Sequence, residues 1–170
     1  MKLLILILFS LTAFSAGLVQ SAQAQNFTAD KKQSLTNLDA FLLVVEFAQD
    51  AVELDGLSRT ELEIEIAQRL RRSGIRLMGE VEWSRQPGVP YLYVNLITVR
   101  SELGFYSYRI EVKFNQEVQP VRNSGITSMA TTWESGLLGL IGVRRIGAIK
   151  PEILSLVDEF IQDFQSANFN

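Results

Sequence analysis

The chain contains neither cysteine nor histidine among its 170 residues. Without thiols it has no disulfide framework, no cysteine nucleophile, no iron–sulfur cluster and no lipid-modified N-terminal cysteine. Without imidazole it lacks the commonest general base near neutral pH and the commonest metal ligand, which excludes Ser–His triads and histidine-ligated zinc, copper or haem. The chemistries left are carboxylate pairs, a serine–lysine pair, or calcium or magnesium held by oxygen. No cofactor is expected. A surplus of one charge is also missing. The net charge of −3 is mild and argues against nucleic-acid binding, or anionic-membrane binding, by the whole surface.

What is present begins with an N-terminal export signal. Met1-Lys2 gives a short positive start, Leu3 to Phe9 is an unbroken apolar run, and Ala22-Gln23-Ala24 places small residues where a signal peptidase reads, with the cut before Gln25. A retained membrane anchor is the alternative. A spanning helix needs about 20 apolar residues, whereas Leu3 to Val19 is interrupted by Ser10, Thr12, Ser15 and Gly17. The expected organisation is therefore a signal peptide over 1–24, a flexible linker over 25–37 and one domain over 38–170. That places the protein in the periplasm or outside the cell. Asn26-Phe27-Thr28 is a glycosylation sequon, expected to be silent behind a signal of bacterial type.

Hydrophobic periodicity supplies the elements. Phe41 to Phe47 reads as a strand buried on both faces. Ser58 with Glu61 forms a capping box and Leu57 with Leu62 a hydrophobic staple, opening a helix whose Leu62, Ile66 and Leu70 share a face. Glu65 and Arg69 lie one turn apart, and Gly74-Ile75 reads as a Schellman stop. Alternation predicts strands over 75–83, 91–100 and 105–118, with a further one over 125–134. Leu92, Val94 and Leu96, and Tyr106 through Phe114 at every second position, point inward. Val81 is expected to pair with Val94, and Val94 with Ile110. After the glycine-rich stretch 136–149, Pro151 opens an amphipathic helix carrying Ile153, Leu156, Val157, Phe160, Ile161 and Phe164. The expected fold class is α+β: a two-layer sandwich in the order β-α-β-β-β-β-α, its sheet mostly antiparallel with about five strands and both helices on one face.

On the opposite face the alternation leaves an unusual set. Met78, Tyr93, Ile97, Val99, Phe105 and Arg109 read as a contact patch with a polar rim, unless the N-terminal segment or the 136–149 stretch folds over them. Leu138, Ile141, Arg144 and Arg145 could meet a lipid surface or a partner groove, although glycines there equally permit close packing of a bent strand. Glu80, Glu82 and Glu111 are the only carboxylates that suggest glycosidase-type chemistry, and Glu80 with Arg109 reads instead as an ordinary cross-strand pair. Asp50, Glu53 and Asp55 match no calcium loop.

Thr131-Thr-Trp-Glu-Ser-Gly136, followed by Leu156-Val-Asp-Glu-Phe-Ile-Gln-Asp-Phe164 and Asn168, resembles a pattern in small exported bacterial proteins of unknown function. The resemblance covers mainly the C-terminal third and implies an independent exported domain without implying an activity. The order of elements is also similar to periplasmic accessory domains of outer-membrane assembly proteins, an analogy of fold alone. The expectation is a non-enzymatic binding or accessory domain of the bacterial envelope, with an envelope protein as partner. The alternatives are a lipid-surface-binding domain and a carboxylate-dependent hydrolase.

Overall fold

The computed structural model describes residues 30–169; the expected signal peptide and residues 25–29 of the expected linker lie outside them. The elements run β1 (Ala40–Phe47), α1 (Ala51–Leu54), α2 (Arg59–Arg72), β2 (Arg76–Leu77), α3 (Glu80–Trp83), β3 (Tyr91–Arg100), β4 (Phe105–Val118), β5 (Ser128–Gly142), a 3-10 segment (Val143–Ile149) and α4 (Lys150–Asn168). The fold is α+β, built on one five-stranded sheet in the order β2-β1-β3-β4-β5. The sheet is mixed rather than mostly antiparallel. β1 runs parallel to β2 and to β3, while β4 is antiparallel to both β3 and β5.

Local chemistry sets the first half. Ser58 accepts a hydrogen bond from the Glu61 amide at 3.3 Å and caps α2. Gly74, at φ +82, ends it, with the Ile75 amide donating to Leu70 O and the Gly74 amide to Arg71 O. That bond pair is the Schellman motif read from the sequence. β1, α2 and β2 therefore form a parallel crossover.

The strand expected over 75–83 is confined to Arg76–Leu77. Leu77 and Met78 are adjacent apolar residues, and Met78 is drawn inside (4% exposed), which breaks the two-residue period. Gly79 then starts α3, whose Trp83 amide donates to Gly79 O at 2.9 Å. Val81, expected to face the core opposite Val94, is instead 71% exposed. β1 is also corrected. Phe41, Val45 and Phe47 are buried, but Leu42 and Val44 are half-buried and Glu46 is exposed, so only one face is closed.

β3 and β4 follow their alternation. Leu92, Val94, Leu96, Tyr106, Tyr108, Ile110, Val112 and Phe114 are all buried. The Ser101–Gly104 turn, closed by the Ser101 amide on Phe105 O, sets a register two residues away from that expected: Val94 pairs with Val112 and Leu96 with Ile110. A two-residue slip keeps every side chain on its face. β5 extends the sheet through the glycine-rich stretch as far as Gly142, with a bulge at Thr132.

One apolar core contains these strand residues with Leu62, Ile66 and Leu70 of α2 and Ile153, Val157, Phe160 and Phe164 of α4. Its centre is aromatic. Phe160 stacks on Phe114 at 5.6 Å and meets Phe41 and Trp133 edge-on at 5.5 and 5.1 Å. Arg69–Asp158 and Lys150–Glu65 ion pairs, each 2.6 Å, link the two long helices. Glu65, beside Lys150, titrates below the usual carboxylate range.

Residues 30–37, expected to end a flexible linker, are docked. Leu35 is fully buried in the core. The Trp133 indole N–H donates to Asp163 Oδ2 at 2.9 Å, and Lys32 Nζ reaches Asp163 Oδ1 at 2.7 Å. Lys31 lies 4.5 Å over the Trp133 ring and pairs with Glu159 at 3.2 Å. Asn168 donates to Leu35 O, and Ser135 donates to Glu159. Several residues that carry the sequence resemblance thus form the seam joining the N-terminal segment, β5 and α4.

Candidate functional site

The strand face turned away from the core is assembled by register. Cross-strand rows run Val44–Tyr93–Lys113–Glu134, then Glu46–Asn95–Glu111–Gly136, then Ile97–Arg109–Leu138, then Val99–Ser107–Leu140, and last Phe105–Gly142. The first two rows are polar and the last three largely apolar.

In the polar half, the long side chains cover one another. Glu111 is buried between two cations of its own strand, Arg109 at 2.6 Å and Lys113 at 2.8 Å. The Tyr93 hydroxyl donates to Glu46. Burial, reinforced by that carboxylate, pushes the Tyr93 phenol up to about 12. Asn95 is buried between Glu46 and Glu111, and its Oδ1 accepts no hydrogen bond among the described residues. Gly136 has no side chain to fill its place in the second row. A concavity of ≈ 530 Å³ opens there, lined by Arg109, Glu111, Lys113, Glu134 and Leu138.

These carboxylates are not placed as an acid–base pair. Glu80 and Glu82 belong to α3, and Glu82 is engaged by Arg76 at 2.5 Å. Glu111 lies on β4, beyond β1 and β3 from β2. The expected Glu80–Arg109 pair is absent because 80–83 is helical, and Arg109 turns to Glu111 instead. The Asp50–Asp55 cluster is also dispersed: Glu53 caps the Arg59 amide, while Asp55 accepts from the Tyr106 hydroxyl. Among the described residues no group of acidic side chains is placed to hold a metal ion, and no helix is long and apolar enough to cross a membrane.

The apolar half holds most of the expected contact residues. Val99 is 66% exposed, Leu138 79% and Leu140 70%. Ile97 and Phe105 are half-buried beside them, and Arg109 is exposed at the boundary with the polar half. Neither residues 30–37 nor the 136–149 stretch folds over this patch; the latter contributes to it as β5 itself.

Three positions differ from expectation. Met78 is buried and lies outside the patch. Ile141 packs against the core, whereas Leu140, absent from the expected set, faces out. Alternation counted from the inward Trp133 assigns both correctly, but the glycines at 136, 139 and 142 hide it. Arg144 and Arg145 are exposed on the 3-10 segment beyond the strand.

Gly139 shows why glycine occupies this strand. A Cβ there would lie 2.4 Å from the Tyr108 hydroxyl, and one at Gly136 would lie 2.6 Å from Ile110 O. The glycines admit a close ring and a close backbone; they do not form a phosphate loop. The Tyr108 hydroxyl donates to Glu152 at 2.6 Å, and burial, then that bond, raises its pKa to about 12. No protein-family model matches the chain, and no curated protein matches it.

Proposed function

We propose that this chain is an exported, non-enzymatic binding domain of the bacterial envelope that acts by contact with another protein. In this reading the two long helices back one face of the sheet, and the reverse face meets the partner through its apolar half. One observation carries the reading: Val99, Leu138 and Leu140 occupy neighbouring rows and are all exposed, with Ile97 and Phe105 beside them and Arg109 at the boundary. A contiguous apolar patch with a charged edge is the anatomy of a protein contact. The N-terminal signal pattern supports export.

The test is substitution of Val99 by Asp. Val99 is exposed, so unfolding free energy should move by less than about 0.5 kcal/mol, while co-purification of the envelope partner is lost. Undiminished capture by a folded Val99→Asp protein contradicts the reading. Co-sedimentation of the wild type with anionic vesicles, abolished by Leu138→Ser, would transfer the patch to a lipid surface instead.

A further inference from the structure

β5 is an edge strand. On its free side the backbone is used at one end only, where Thr132 O accepts from Ser34 Oγ at 3.1 Å and Glu134 O from Lys31 Nζ at 3.2 Å. Alternate residues of a strand direct their N–H and C=O groups to the same side. The amides and carbonyls of 136, 138, 140 and 142 therefore lie along that free side, where no strand pairs with them among the described residues. Two devices that blunt an exposed edge are missing from the free stretch: from Ser135 to Val143 there is no charge and no proline.

The stretch also reads nearly the same in both directions about Gly139. Gly136 mirrors Gly142, Leu137 mirrors Ile141, and Leu138 mirrors Leu140. Two steps further out, past the unmatched Ser135 and Val143, Glu134 mirrors Arg144, of opposite charge. We propose that β5 pairs antiparallel with β5 of a second copy of this chain, about a two-fold axis at Gly139, joining two sheets into one. In this register Leu138 of each copy faces Leu140 of the other and Gly136 faces Gly142, while Glu134, just before the free stretch, and the second copy's Arg144, just beyond it, bring opposite charges to the same end of the pairing. A two-fold contact makes each of these interactions twice. Slipping the register by two residues leaves one leucine pair in place of two, Leu138 or Leu140 against its own counterpart, and moves Glu134 and Arg144 out of step. The docked residues 31–34 at one end and the 3-10 segment at the other limit pairing to the free stretch. The pairing uses the edge of β5, whereas the proposed partner contact uses its face, so either can fail alone.

The absence of native cysteine makes the register directly measurable. Leu138→Cys and Leu140→Cys are made singly in the full chain; both positions are exposed, so the fold tolerates them. Directly opposed residues lie about 5.5 Å apart between Cα atoms, within disulfide reach, whereas diagonal positions exceed about 7 Å and are not. Under mild oxidation an equal mixture of the two variants should give a disulfide-linked mixed dimer in large excess over the dimer that either gives alone. Sedimentation velocity of the wild type should show a concentration-dependent monomer–dimer equilibrium, shifted toward monomer by Leu138→Lys. A wild type that stays monomeric throughout, equal crosslinking by every variant and mixture, or a dimer indifferent to Leu138→Lys would each overturn the proposal. Loss of the envelope partner in Val99→Asp with the mixed disulfide retained would separate this contact from the face contact.

Discussion

Gly139→Ala tests whether the glycine-rich strand is shaped by packing. The new methyl carbon would lie 2.4, 2.5 and 2.9 Å from Tyr108 Oη, Cζ and Cε1, well inside van der Waals contact. Tyr108 is buried and cannot retreat without disturbing the core. Overpacking of this kind costs about 1–3 kcal/mol. Displacing the ring also breaks the 2.6 Å bond from its hydroxyl to Glu152, a loss of about 1 kcal/mol. The gain from replacing glycine in a strand offsets about 0.5–1 kcal/mol. The expected net destabilisation is about 2 kcal/mol, a fall of roughly 4–8 °C in midpoint for a domain of this size. Urea denaturation followed by tryptophan fluorescence measures it. In a Tyr108→Leu background the clash is absent and only the gain of about 0.5–1 kcal/mol remains, giving a coupling energy of about 3 kcal/mol in the double-mutant cycle. Gly142→Ala, with no atom within 4 Å of the added carbon, is the control and should not destabilise. A Gly139→Ala protein as stable as wild type, or one equally destabilised in both backgrounds, would refute the reasoning.

Asp163→Ala removes the acceptor of the buried Trp133 indole and the partner of Lys32. It should cost about 2–4 kcal/mol and speed amide exchange across residues 30–37, while Asp163→Asn, which keeps an acceptor, should cost less. The Tyr93 and Tyr108 phenols, raised to about 12 in the fold from about 10 when unfolded, give an alkaline signature. The folded state binds the extra protons, so their contribution is complete below pH 10 and is lost as pH rises through about 12. Tyr108→Phe should flatten that limb of the urea midpoint against pH, and an unchanged limb would contradict the assignment. Intact-mass measurement of the exported protein should give a mature chain beginning at Gln25.

The parts of the fold legible in the sequence are those where one local rule acts without competition. α2 is written in its caps, from Ser58 and Glu61 to Gly74, and the core faces of β3 and β4 are written in strict alternation. α4 is written in its apolar stripe. Where two signals compete, reading fails. Ile75, Leu77, Val81 and Trp83 alternate as a strand would, but Met78 also demands burial and Gly79 releases the chain into α3. The parallel pairing of β1 with β3 has no local mark, because it depends on where the crossover through α2 returns. The apolar patch was half legible. Val99 follows from alternation along β3, whereas Leu138 is marked only by its place in an apolar glycine-rich run, and the glycines between 136 and 142 mask which of Leu140 and Ile141 faces out. Docking of residues 30–37 rests on a single buried side chain, Leu35, and on partners distant in sequence such as Asp163 and Asn168, which no local pattern announces.

The central claim is that the reverse face of the sheet, at the end carrying Val99 and Leu138, is the working surface. Site-specific photo-crosslinking in the native cell tests it most directly, with a benzophenone side chain placed at position 99, at position 138 and, as control, at the exposed position 68 of α2. The account predicts a discrete protein adduct from 99 and 138 and none from 68. Adducts of the same mass from all three positions, or from 68 alone, would contradict it.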